Sequence, residues 1–119
     1  LIAQALQQHK SLKRLNISGN KLGDSPTSAL ADLLKYNKQM ELLNLGDNQL
    51  TDAAARILAH ALTLNASLHY FSLSKNKLTF QGSLKIMEAL AYNNSLRTLD
   101  LTYNEVGEAI KILARVLPT

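Results

Sequence analysis

The chain has 119 residues, 46% of them apolar and 18% charged, with 5 Gly, 2 Pro and no Cys. That is the length of one domain, too apolar for a disordered tail, and without the cysteines on which a disulfide-stapled secreted scaffold depends. The net charge of +4 comes from 13 basic and 9 acidic residues; only Lys13-Arg14, Lys35/Lys38 and Lys75/Lys77 lie close together, so no dense basic stripe marks a nucleic-acid footprint.

Leucine is the outlier, at 25 residues against 6 aromatics and no Trp, and an almost pure Leu core implies that one packing environment is used repeatedly. No apolar run approaches the roughly 20 residues of a membrane span, so neither a membrane nor a nucleic acid is an expected partner. The start, Leu1-Ile2-Ala3-Gln4-Ala5-Leu6, has neither the basic leader nor the long apolar stretch of a signal peptide. With no Cys, this points to a reduced compartment, cytoplasm or nucleus.

Taken in chain order, the first strand signal is Leu15-Asn16-Ile17, where apolar residues alternate with a polar one. Asn20 and Leu22 follow, and then Ala29, Leu30, Leu33 and Leu34, which fall on one helix face. The succession returns with a fixed step of 28 residues. Leu12, Met40, Leu68 and Leu96 share one slot, Leu15, Leu43, Phe71 and Leu99 the next, and Ile17, Leu45, Leu73 and Leu101 a third. Asn20, Asn48, Asn76 and Asn104 repeat at the same step, as do Leu22, Leu50, Leu78 and Val106. In the second unit Ile57, Leu58, Ala61 and Leu62 stand where Ala29, Leu30, Leu33 and Leu34 stand in the first. Strand and helix bury their Leu between them, and stacking closes the core from both sides.

These slots spell L-x-x-L-x-L-x-x-N-x-L, with Met40, Phe71, Ile17 and Val106 as apolar replacements. The pattern resembles the leucine-rich repeat, and the 28-residue unit with a helical second half is similar to the ribonuclease-inhibitor-like subclass. The resemblance implies an α/β solenoid with a curved parallel β-sheet on the concave side and α-helices on the convex side. It divides the chain into repeats 12–39, 40–67, 68–95 and 96–119, with 1–11 as the helix of a preceding repeat and 107–119 as that of the fourth. Leu1, Ile2, Leu6, Leu99, Leu101 and Leu117 then lie near open ends, which leads to the expectation that the natural protein continues on both sides.

The Asn column (Asn20, Asn48, Asn76, Asn104) is expected to be structural, each amide satisfying backbone groups where the chain turns out of its strand. Asn37, Asn65 and Asn93, with His9 in the equivalent slot, suit helix C-termini, where left-handed backbone is tolerated. Asn65 and Asn93 also head the sequons Asn65-Ala-Ser67 and Asn93-Asn-Ser95; because they share one repeat slot they are read as repeat chemistry. Asn16-Ile-Ser18 is a third sequon.

The outward strand positions are free to vary. Arg14, Glu41, Leu42, Asn44, Asp47, His69, Tyr70, Ser72, Lys75, Arg97, Asp100 and Tyr103 are the candidate partner-binding residues of the concave face. Leu42, Tyr70 and Tyr103 are its apolar anchors, the kind of residue that carries most interface energy. Asp47 and Lys75 are otherwise expected to behave as ordinary surface positions. Catalytic residues, cofactor and metal are not expected. His9, His60 and His69 fall on different parts of the unit, and Ser72, His69 and Asp100 lie side by side with no strained nucleophile turn. Gly19, Gly23, Gly46, Gly82 and Gly107 are isolated and form no phosphate loop.

The function expected is non-enzymatic protein–protein recognition through the concave sheet, within a longer intracellular scaffold, sensor or effector. The alternative is part of a small-GTPase activator resembling the Ran-activating leucine-rich repeat solenoids, which work from acidic and Asn residues on loops at one edge.

Overall fold

The computed structural model describes residues 12–105; the helices expected at 1–11 and 107–119 lie outside these. The elements run β1 (Arg14–Asn16), α1 (Thr27–Tyr36), β2 (Leu42–Asn44), α2 (Asp52–Leu64), β3 (Tyr70–Ser72), α3 (Phe80–Ala89), a 3-10 turn (Leu90–Tyr92) and β4 (Thr98–Asp100). The strands form one four-stranded parallel sheet in the order β1-β2-β3-β4. Its register equals the sequence period: Leu15 faces Leu43, Leu43 faces Phe71, and Phe71 faces Leu99. This is the α/β solenoid that the repeat implies.

Period-2 alternation sends Leu15, Leu43 and Phe71 inward to burial while Arg14 and Asn16 stay exposed. Leu45, Leu50, Leu68 and Leu73 complete the sheet side of the core. The helix side differs by one position from the expected face. Leu30, Ala31, Leu33 and Leu34 are buried in α1, and Leu58, Ala59, Ala61 and Leu62 in α2, whereas Ile57 is 41% exposed. The small residues Ala31 and Ala59 are buried in the core, and the slot of Ala29 and Ile57 sits at the margin of the apolar arc.

With strands of only three residues, about half of each repeat lies outside regular structure, and its polar groups must still be paired. Two columns of Asn do this. Asn48 Oδ1 accepts from the N–H groups of Asn20 (2.9 Å) and Leu22 (3.4 Å). Its Nδ2 donates to the carbonyls of Ile17, Leu45 and Gly46. Asn76 repeats this one step on, accepting from Asn48 N and Leu50 N and donating to Leu45 O, Leu73 O and Ser74 O. Asn104 accepts from Leu78 N and donates to Leu73 O, Leu101 O and Thr102 O. At the near end Asn20 donates to Ile17 O and Ser18 O. The amides of Asn48, Asn76 and Asn104 each tie their own bend to the preceding repeat.

The second column corrects an expectation. Asn37, Asn65 and Asn93 follow their helices with φ of −83°, −87° and −121°, extended rather than left-handed. Each Oδ1 instead accepts from the N–H groups two and three residues ahead: Gln39 and Met40, Ser67 and Leu68, Ser95 and Leu96. The Nδ2 groups of Asn65 and Asn93 reach back to the previous repeat, at Leu34 O and Leu62 O, and that of Asn37 donates to Leu12 O at the start of its own repeat. Asn65 and Asn93 are 5% and 8% exposed, so those two sequon amides are consumed by the fold.

A third cross-repeat link is carried by Asp and Thr. Thr51 caps α2 by accepting from Ala53 N, and donates its N–H and hydroxyl to the Asp24 carboxylate. Thr79 caps α3 in the same way, accepting from Gln81 N and donating both groups to Asp52. Burial opposes ionisation of Asp52, but the Thr79 hydroxyl and N–H, the Gly82 N–H and the nearby Arg56 charge outweigh it and hold the carboxyl below its ordinary value. Gly82 is what lets Asp52 approach: a Cβ there would lie 2.1 Å from Asp52 Oδ1 and 3.1 Å from Asp52 Cα.

Leu45→Ala is expected to cost about 2–5 kcal/mol and Asn48→Ala at least about 2 kcal/mol, because it leaves several N–H and C=O groups unpaired; urea denaturation measures both, and a neutral Asn48→Ala contradicts the structural role. Gly82→Ala is expected to destabilise by about 1–3 kcal/mol through overpacking, although Ala is the better helix former by about 1 kcal/mol. Because the folded pKa of Asp52 is lowered, its contribution is complete above the ordinary value of 3.8 and disappears as pH falls through the folded value. Stability followed between about pH 5 and pH 2 is therefore expected to fall more steeply for the wild type than for Asp52→Asn.

Candidate functional site

The sheet face turned away from the helices carries the expected partner-binding residues, and the structure separates them into four rows. The first crosses all four strands in register: Arg14 beside Leu42, Leu42 beside Tyr70, Tyr70 beside Thr98. Leu42 and Tyr70 are half-buried, and Arg14 and Thr98 are exposed. The second row stands one residue earlier. It is tied by Glu41 N donating to Lys13 O, His69 N to Glu41 O, and Arg97 N to His69 O. Lys13, Glu41, His69 and Arg97 thus line one side of the Leu42–Tyr70 pair.

The third row is committed to the turns. Asn44 Oδ1 accepts from Gly46 N, Ser72 Oγ from Ser74 N, and Asp100 Oδ1 from both the N–H and the hydroxyl of Thr102. Asn16 does the same for Ser18. Ser72 is only 2% exposed and has almost no surface to present. Ser72 Oγ and Asp100 Oδ1 are thus engaged by the residues two ahead of each.

The fourth row, Asp47, Lys75 and Tyr103, does not follow strand alternation. These residues sit in the turns beyond the strands, in left-handed backbone with φ of 54°, 55° and 59°, and Gly19 in the same slot has φ 73°. They are exposed, but not ordinary surface positions: the conformation is intrinsically unfavourable for a residue with a Cβ. Backbone pairing continues through them, with Asp47 N donating to Ser74 O at 2.8 Å and Lys75 N to Thr102 O at 2.9 Å. The Lys75 ammonium lies 5.6 Å from the centre of the Tyr103 ring, a cation–π distance.

His60 is exposed on α2, and among the described residues no three His, Cys, Asp or Glu side chains converge as a metal site. One set of surface residues escaped the sequence reading. Tyr36, Leu64 and Tyr92, 70%, 54% and 75% exposed, occupy one repeat slot at the ends of the helical segments. They stand at the same 28-residue spacing, each immediately before Asn37, Asn65 or Asn93.

Strand–helix units stacked in register, with Asn at each bend, define a leucine-rich solenoid. The Leucine Rich repeat family model matches residues 8–31, 36–59 and 92–109, more than half of the chain, and the chain belongs to that family. No curated protein matches it significantly. Among solved structures the fold is similar to the leiomodin-1 actin-binding site 2 (ABS2), with a TM-score of 0.81 and 21% identity over 92% of this chain and 67% of that one. It is also similar to the tropomodulin C-terminal domain of Caenorhabditis elegans, with a TM-score of 0.64 and 18% identity over 98% of this chain and 92% of that one. At these identities the likeness is one of fold.

Left-handed φ at Lys75 makes its tolerance unusual for an exposed site. Lys75→Val is expected to cost about 1–2 kcal/mol, while Lys75→Gly leaves stability unchanged or raises it. Denaturation midpoints of the two variants, at constant m-value, check the assignment.

Proposed function

We propose that the chain is a non-enzymatic protein-recognition module that binds its partner through the concave sheet face, as part of a longer array working inside the cell. The observation that carries this reading is the Leu42–Tyr70 pair, in register on adjacent strands and pointing away from the core. Among the described residues no hydrogen bond uses these side chains, unlike those of Asn44, Ser72 and Asp100. Arg14, Glu41, His69 and Arg97 surround the pair with mixed charge. An apolar centre within a polar rim is the anatomy of a binding surface.

Four strands at about 4.8 Å per step span about 15 Å between the outer two, a narrow footprint that favours sharing of the interface with further repeats. Lys75 and Tyr103 extend the surface toward the turns, and Asp47 adds an opposite charge. The leiomodin-1 domain of similar fold is an actin-binding site, which makes actin the first protein to test. The alternative, stimulation of a small GTPase, is separable by a single-turnover GTP hydrolysis assay.

A photo-crosslinking residue at position 70 is expected to capture the partner, and one at position 60 on α2 is not. Leu42→Asp combined with Tyr70→Ala is expected to weaken binding by at least about 2 kcal/mol with the circular dichroism spectrum retained. Normal binding by the double mutant, with crosslinking from position 60 instead, overturns the concave-face reading.

A further inference from the structure

The helix ends carry a second surface. Tyr36, Leu64 and Tyr92 are 70%, 54% and 75% exposed, more than the half-buried Leu42 and Tyr70 of the sheet. They recur once per repeat, so they form a row along the edge where helices hand over to strands. Packed helices are about 8–10 Å apart, which makes the row about 16–20 Å long. A shallow hollow beside its centre is lined by Leu34, Lys35, Lys38, Leu64 and Ala66 together with Asn37 and Asn65.

Charge is distributed unevenly about this edge. Lys13, Arg14, Lys35, Lys38 and Arg97 stand at the helix ends and strand starts, against Glu41 and Glu88. At the opposite edge Lys21, Arg56, Lys75 and Lys77 are balanced by Asp24, Asp47, Asp52 and Glu105. The helix-end edge is therefore the electropositive side of the described residues. Its cations cluster at the first repeat: the slot of Lys35 holds Thr63 and Ala91 further on, and that of Lys38 holds Ala66 and Asn94.

The backbone at this edge decides what kind of segment fits. The Asn37, Asn65 and Asn93 amides already take the loop N–H groups ahead of them and the carbonyls of Leu12, Leu34 and Leu62. An extended peptide docks by main-chain hydrogen bonds to an open edge, and these groups are already engaged. A helix satisfies its own backbone and presents only side chains. A nucleic acid would bring evenly spaced phosphates to cations that are clustered, and Leu64 offers its bases no stacking partner.

We propose that this edge docks an amphipathic acidic helix of a partner protein, about three turns long, with apolar residues seated along Tyr36, Leu64 and Tyr92 and carboxylates concentrated over Lys35 and Lys38. A helix of 11–13 residues has the required length at about 1.5 Å per residue. The surface shares Arg14, Glu41 and Arg97 with the rim of the concave face but not its Leu42–Tyr70 centre, so different variants test the two assignments.

The test is selection of a displayed random library of helical peptides, about 15 residues each, against the full 119-residue chain, followed by fluorescence anisotropy of the recovered peptides. The expected peptides are rich in Asp and Glu, with Leu or Phe at three- and four-residue spacing. Their affinity falls at least about tenfold in Tyr36→Ser/Tyr92→Ser and in Lys35→Glu/Lys38→Glu, weakens with added salt, and is unchanged in Leu42→Asp/Tyr70→Ala. Circular dichroism verifies that each variant remains folded. Recovery of neutral or basic peptides, sensitivity to the concave pair alone, or failure to recover any binder overturns the proposal. So does binding of a single-stranded oligonucleotide or of anionic phosphatidylserine vesicles through the same tyrosines in place of a peptide.

Discussion

A coil that must turn back on itself within every 28 residues has one overriding problem: its bends bury backbone N–H and C=O groups that no helix or sheet ladder reaches. The side-chain amide solves it. It is planar, uncharged, and carries donors and an acceptor on one short stem, so one buried Asn serves groups on its own bend and on the preceding repeat together. Asn48 and Asn76 each make five such bonds. Aspartate would keep the acceptor and lose the donors, and Leu would lose both. The period of the sequence, the register of the strands and the spacing of the recognition rows all follow from the stacking of these bends.

Three links of different chemistry therefore join the first repeat to the second and the second to the third: amides at the strand exits, amides at the strand entrances, and the Asp–Thr contacts at the helix starts. Each is a short-range, directional link laid over the non-directional burial of Leu. This division of labour fits a one-dimensional array, in which a repeat is stabilised only by those beside it. It also explains why the sheet needs strands of only three residues. The pairing continues beyond them through Gly19, Asp47 and Lys75 into the turns.

The fold was legible in the sequence because its determinants are identical from unit to unit; five apolar or Asn slots, repeated at one interval, leave no other register. Elements set by context were not. Asn at a helix end suits either a left-handed residue or an Asx turn, and the extended φ of Asn37, Asn65 and Asn93 shows the second. The left-handed slot of Asp47, Lys75 and Tyr103 was hidden because a different residue fills it each time, with Gly19 its one hint. Gly82 looked isolated because its reason, the Asp52 carboxylate, stands 30 positions away. Of the candidate site, the outward direction of Leu42 and Tyr70 followed from alternation. The commitment of Ser72 and Asp100 to their own turns did not, since a strand pattern says nothing of where an outward hydroxyl or carboxylate bonds.

The amide ladders are most directly tested by native-state hydrogen exchange at loop N–H groups that only an Asn side chain engages. Leu50 N–H is accepted by Asn76 Oδ1 at 3.0 Å and Leu68 N–H by Asn65 Oδ1 at 2.8 Å, while Leu45 N–H is accepted by the Ser72 carbonyl at 2.9 Å as part of the sheet. If the amides hold the repeats together, Leu50 and Leu68 exchange only through the same cooperative opening as Leu45, with protection free energies within about 1 kcal/mol of it. Exchange of Leu50 and Leu68 at the rates of an open loop, with Leu45 still protected, would contradict the account.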